Sequence, residues 1–231
     1  MNLNNNKIFR IDDVGASTKQ FEQYGKWKIG NFWFLKRSWP FKKWGPYKEL
    51  TANEWENVFE VFEKNNIKSM VAITASWVEK DSSLTPFPQK FPEQAAILKK
   101  ALQEGKVEIA NHGLTHCIVG KHLPRFWGSN RKFHREFWPD LPQAVHTEHI
   151  LKSQEILESY FERPITIFVP PGNVWSYKTY LALRKTNIKK VISSRYMIDS
   201  NEKMQDIEFI DDKNGFFCLH DQDIYEKNII N

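Results

Sequence analysis

The sequence predicts an α/β fold built on a parallel sheet, and two observations lead there. The first is a series of seven short β-leaning runs, at residues 8–11, 69–74, 107–110, 165–169, 190–193, 207–210 and 216–219. The second is that helical patterns with legible ends lie between several of them. Thr51 followed three residues later by Glu54 forms a capping box, and Pro92 and Gly105 bracket a second helix. A third helix is expected from Gln143 to Phe161, ending before Pro164. Strands that alternate with helices favour parallel pairing, because a crossover helix is the usual way to return the chain to the same sheet end.

At 231 residues the chain can bury a substantial core, and alternating strand and helix barrels of this size commonly form one unit. A single catalytic domain over residues 1–231 is therefore expected, with no fixed-period repeat and no Ser/Gly linker. Two connections are long, 15–50 and 119–142, and both are rich in aromatic and basic residues. Either the aromatics pack these loops against the barrel while the cations stay solvated, or the loops bind substrate. Trp27, Trp33, Trp39 and Trp44, four of the 9 tryptophans, cluster in the first of them, and indole faces can stack on sugar rings.

A hydrophobic content of 41% with 26% charged residues belongs to ordinary globular proteins and excludes a disordered or fibrous chain. The net charge of +5 suits an anionic partner, but the cations are scattered among 28 acidic residues and form no basic stripe, so nucleic acid is not expected. Residues 1–7 are polar and lack the apolar core of a secretory signal, and no stretch approaches the roughly 18 apolar residues of a membrane span. A cytoplasmic protein with Cys117 and Cys218 as free thiols is the expectation.

The chemistry is announced at the strand ends. Residues 8–11 run into Asp12 and Asp13, 107–110 into Asn111-His112-Gly113-Leu114-Thr115-His116, 167–169 into Pro170-Pro171-Gly172, and 216–219 into His220. In parallel α/β barrels the C-terminal strand ends share one face, so these four sets would meet. His112 and His116 stand four apart, a spacing that places both imidazoles on one side of a helical turn and lets them chelate one ion. Alone the spacing is a weak signal. Two histidines with one carboxylate leave positions open for water, as a hydrolytic centre needs, and the Asp12-Asp13 pair can supply that carboxylate and a second, unligated one as general base. The pair could also serve as a turn or cap, and His220 could simply cap a strand. His122, His134, His146 and His149 lie outside these motifs and are expected at the surface.

With these residues in view, the sequence resembles the polysaccharide deacetylases of the NodB-homology type, carbohydrate esterase family four. Ile11-Asp12-Asp13-Val14-Gly15 resembles the family's T-F-D-D-G motif, His112 to His116 its H-x-x-x-H motif, Pro170-Pro171 its R-P-P motif, and Leu219-His220 its late hydrophobic-x-His motif. The order and spacing agree across residues 8–221, and their joint occurrence makes the match specific. The resemblance implies a distorted seven-stranded (β/α) barrel. It implies a divalent metal, zinc first among the choices, held by Asp13, His112 and His116. Asp12 would be the base, His220 the acid that protonates the departing amine, and a backbone N–H of the Pro171-Gly172 loop would stabilise the oxyanion.

Three positions depart from the family pattern. Val169 stands where an Arg would orient the catalytic Asp, leaving Arg10 or Arg195 to take that part, and Gly172 replaces an aromatic residue beside the substrate. The D-x-x-D-W motif is not recognisable near Ser193 to Tyr196, although Asp199 could still orient His220. The expected function is removal of an N-acetyl or other N-acyl group from an amino sugar, nucleotide- or lipid-linked, during surface polysaccharide or lipopolysaccharide assembly. Two other readings compete: a degenerate deacetylase fold kept as a carbohydrate-binding or assembly protein, and an amidase with a non-sugar substrate. The sequence is silent on oligomeric state.

Overall fold

The structure is a computed structural model, and it describes residues 8–21, 49–119, 135–213, 215–220 and 224. All seven predicted strands are present: β1 (Ile8–Val14), β2 (Ser69–Ile73), β5 (Val107–Asn111), β6 (Ile167–Phe168), β7 (Lys190–Ser193), β8 (Glu208–Asp211) and β9 (Phe216–His220). They form one sheet in the order β8-β7-β6-β5-β2-β1-β9, and every pairing in it is parallel. A short antiparallel pair, β3 (Ser76–Val78) with β4 (Leu84–Pro86), was not anticipated. Its runs are too short for a period-2 pattern to show.

The sheet has to curl. β8 and β9 are its two edges, yet only residues 212–215 separate them. Seven flat strands would hold those edges roughly 29 Å apart at the usual interstrand spacing, farther than the roughly 18 Å that five peptide steps can reach. Burial reports the same curvature, since Met70, Ala72 and Ala110 face an inner cluster with Ile167, Val169 and Ile192. The alternate residues Val71, Ile73 and Ile109 face an outer one with Phe9, Ile11 and Leu219. Strands buried on both faces read as continuous apolar runs, which is why they were legible.

The helices cover the outer face. α2 (Ala52–Lys64) starts at the Thr51 capping box and buries Trp55, Val58, Phe59 and Phe62, one stripe at i, i+3, i+4 and i+7. α4 (Pro92–Gln103) has its proline in the first turn and buries Ala95, Leu98, Ala101 and Leu102. α5 (Gln143–Phe161) occupies its predicted span. It packs with α6 (Tyr177–Leu183) over Phe168 and Val191, and α6 opens on a Ser176/Thr179 capping box that sequence reading passed over. Two further helices are short, α1 (Thr18–Phe21) and α3 (Phe87–Lys90). Trp27, Trp33, Trp39, Trp44, His122 and His134 lie outside the described residues.

Candidate metal centre and the residues around it

β1 runs three residues beyond the predicted strand end, to Val14, so Asp12 and Asp13 belong to it rather than follow it. Its register against β2 slips between Ile11 and Val14, where three steps on β1 face two on β2. Such a bulge bends the strand and re-aims a side chain. Asp13 takes up the bend with a φ of 64°. Asp13 thereby reaches His112 and His116, while Asp12 beside it on the strand faces Arg10.

His112 and His116 meet Asp13, but not by way of a helical turn. The segment after β5 is irregular, and His116 has a φ of 62°, so the chain curls back on itself. The expected helical turn is thus replaced by an irregular loop that still brings the two rings together. Nε2 of His112 stands 3.1 Å and Nε2 of His116 3.0 Å from Asp13 Oδ1. Asp13, His112 and His116 offer ligand atoms that all lie within 4.8 Å of one another. Nε2 of His220 is 3.8 Å from Asp13 Oδ2.

The hydrogen bonds behind the imidazoles test whether these residues fit a cation. Nδ1 of His112 faces the Val169 carbonyl at 2.7 Å, and a carbonyl only accepts, so Nδ1 carries the proton. With Nδ1 so engaged, Nε2 of His112 can meet the Asp13 carboxylate favourably only through a proton or a cation between them. Nδ1 of His116 is engaged by the Thr18 hydroxyl at 2.8 Å. Outer partners on the second ring nitrogen orient metal-ligating histidines in this way. Two nitrogens and one carboxylate are the donor set of a hydrolytic zinc site. Burial works to raise the Asp13 pKa, but His116 and His112, with His220 farther off, outweigh it and hold the carboxyl well below the usual carboxylate range.

Asp12 has a separate environment. Arg10, two residues earlier on the same strand face, donates from Nε to Asp12 Oδ1 and from Nη2 to Oδ2, each at 2.9 Å. The Cys218 thiol donates to Oδ2 at 3.2 Å, and Arg10 pairs with Asp212 at 3.0 Å. Burial opposes the charge of Arg10, yet Asp12, Cys218 and Asp212 keep its pKa above the ordinary value. Of the two arginines that sequence offers for the place of Val169, Arg10 is the one bonded to Asp12. Arg195 is exposed just past β7, with its carbonyl accepting from Trp175 Nε1 at 2.9 Å. Asp199 does not orient His220; it accepts from the Tyr177 N–H at 2.8 Å, at the start of α6.

The strand β6 hands over to a single 3-10 turn, Pro171–Asn173, tied to β7 by Asn173 Oδ1, which accepts from Ser193 Oγ and the Ser194 N–H. Gly172 has a φ of 57°, and a side chain there would run into the Arg135 guanidinium, which fills the space an aromatic residue would need. The N–H groups of Asn173 and Val174 are used within the turn.

Sequence reading missed Glu136. Its side chain is fully buried, with Oε1 accepting from the Leu114 and Thr115 N–H groups at 2.8 and 3.2 Å and Oε2 from that of His116 at 2.7 Å. His149 Nδ1 is 2.7 Å from Oε1. This corrects the surface placement of two histidines. His149 packs on Glu136, where burial lowers its pKa but Glu136 raises it more, and His146 is fully buried between Thr179 and the Trp138 carbonyl. Histidine composition alone gives no sign of this; His146 lies on the inward stripe of α5 with Ile150, Ser153, Gln154 and Leu157, and His149 flanks it, partly buried.

The family model for polysaccharide deacetylase matches residues 45–191. That span includes His112, His116 and the Pro170-Pro171 pair, and Asp12, Asp13 and His220 lie on either side of it. Solved structures of similar fold include IcaB from Ammonifex degensii, 16% identical over 76% of this chain and 66% of that one, with a TM-score of 0.48. A family 4 carbohydrate esterase from Streptomyces lividans in complex with acetate is 12% identical over 76% and 78%, with a TM-score of 0.43. A CE4 family pseudoenzyme from Bacillus anthracis is 12% identical, with a TM-score of 0.40, and this chain covers 39% of its length while 62% of this chain is matched. No curated protein matches. The matched span, joined to the site that β1, β5, β6 and β9 assemble, leads to one statement of kinship: the chain belongs to the polysaccharide deacetylase family.

Proposed function

We propose that the protein is a metal-dependent hydrolase that removes an N-acetyl or other N-acyl group from an amino sugar. The observation that carries this is the pairing of a two-histidine, one-carboxylate donor set with an adjacent carboxylate, Asp12, fixed by its own bidentate arginine. A binding protein has no use for that division of labour.

Asp13, His112 and His116 would hold the ion, zinc in the first instance. Bound there, it would acidify a water ligand and polarise the acyl carbonyl. Asp12 takes the proton of the attacking water as the new C–O bond forms, and Arg10 keeps its carboxylate aimed at that proton. The Gly172 N–H, which no bond among the described residues uses, donates to the oxygen that gains charge. His220, beside Asp13 on β9, gives a proton to the nitrogen as the C–N bond breaks. The products are the free amine and the carboxylic acid.

Substrate choice is argued from the rim. Arg135 against Gly172, and exposed Arg195 beyond β7, supply cations suited to the phosphates of a nucleotide- or lipid-linked amino sugar, a precursor for surface polysaccharide or lipopolysaccharide assembly. Zinc-loaded protein incubated with a panel of such N-acetylated donors should release acetate, and silence across the panel would sink the assignment. Asp12→Asn should keep zinc binding and lose at least about 100-fold in turnover, as expected for loss of a general base. Equal turnover in the variant would move the assignment toward a carbohydrate-binding role.

A further inference from the structure

Glu136 lies outside every motif that points to catalysis, yet it is bonded directly to the loop that carries His112 and His116. Its two oxygens accept from three consecutive backbone N–H groups, those of Leu114, Thr115 and His116. Successive N–H groups that converge in this way form a concave anion site, and here the anion is part of the chain. Behind it, His149 of α5 bonds to Oε1. Gly113 leaves no gap on the near side, because a Cβ there would collide with Glu136 Oε2.

The backbone this carboxylate grips is not one the loop would choose. His116 has a φ of 62°, a conformation that L side chains rarely adopt and that persists only where the surroundings over-determine it. That conformation turns the imidazole so that Nδ1 meets Thr18 at 2.8 Å and Nε2 stands 3.0 Å from Asp13. Take the acceptor away and three buried N–H groups lose their partner together. The loop can then recover them only by changing its backbone, and the imidazole of His116 moves with it.

We propose that Glu136 is a positioning residue for the metal centre: it fixes the left-handed turn at His116 and thereby the direction of one ligand, with His149 bracing it from α5. The proposal rests on the reading of Asp13, His112 and His116 as metal ligands. It adds that the ligand geometry is set from the segment ahead of α5, and not by the H-x-x-x-H motif alone.

Glu136→Gln tests it, since the shape is kept while one acceptor oxygen becomes an NH2 group that faces N–H donors. The readouts are zinc affinity by competition with a chromogenic chelator, the visible spectrum of the cobalt-loaded protein, and thermal unfolding without metal. The expected result is a fold that survives, zinc affinity lowered by about 10–100-fold and an altered cobalt spectrum. His149→Gln retains the carboxylate and removes its brace; a smaller drop in zinc affinity is expected, and this variant decides the matter if Glu136→Gln does not fold. Wild-type protein that binds zinc alongside folded variants that bind it equally well would overturn the role of Glu136 alone. Wild-type protein that binds no zinc would overturn the metal reading and this proposal with it.

Discussion

Gly113 shows how tightly single residues are constrained at this site. Its φ of 82° suits glycine, and the space where a side chain would begin is held by Glu136 and the Phe137 ring. Gly113→Ala should cost roughly 1–3 kcal/mol from backbone strain, with more from displacement of the carboxylate. Denaturant unfolding would measure it, and a midpoint unchanged from wild type would contradict the account. Residues of this kind divide sharply by how they announce themselves in sequence. Asp12, Asp13, His112, His116 and His220 stand directly after or within apolar strand runs, so their placement at one sheet end was legible from patterning. Glu136 was not, because it sits 20 residues from His116 in a connection rich in charge and aromatics. Nothing local distinguishes a carboxylate turned inward from a solvated one. Arg10 lay between: its strand face follows from alternation with Asp12, but its choice over Arg195 is a matter of three-dimensional reach.

Among the elements, α5 ties the core to the loop that carries His112 and His116. Asn111, the last residue of β5, donates to Ser153 Oγ and Gln154 Oε1 on this helix and accepts from the Gly113 N–H. Nearer the start of α5 lies His146, whose pKa is pushed down to about 4, first by burial and further by Lys178 and His149. The unfolded chain takes up a proton near pH 6.5 and the folded chain only near pH 4, so the stability this residue contributes is whole above pH 6.5 and is lost as the pH falls through that window. The loss by pH 5 is roughly 2 kcal/mol. His149 works in the opposite sense, since its raised pKa favours the folded state at acid pH and gives that up as the pH rises. Comparing His146→Gln with wild type removes the shared background. The variant should lose less stability between pH 7.5 and pH 5 by about that amount, and parallel stability curves would refute the assignment.

At the scale of the whole molecule, the question is what holds the curled sheet at its seam. The seven strands were readable because both their faces are buried, but strand order and closure depend on contacts between residues far apart in the chain. β1 and the segment past β8 approach across the inner face, where Arg10 pairs with Asp212 at 3.0 Å while still gripping Asp12. Arg10 is 1% exposed and Asp212 11%, so the pair is largely shielded from water. It joins β1 to the far edge of the sheet, which makes closure and the aim of Asp12 two consequences of one guanidinium. Asp212→Ala should leave the Arg10–Asp12 pair in place, which limits the cost to roughly 1–3 kcal/mol. The loss should be uneven. Amide hydrogen exchange in β8 and β9 should quicken by about tenfold or more, while β2 and β5, in the middle of the sheet, keep their protection. Uniform acceleration across all seven strands would mean that the pair contributes only to global stability, and no acceleration at either edge would mean that the seam is held by the peptide link through residues 212–215 alone.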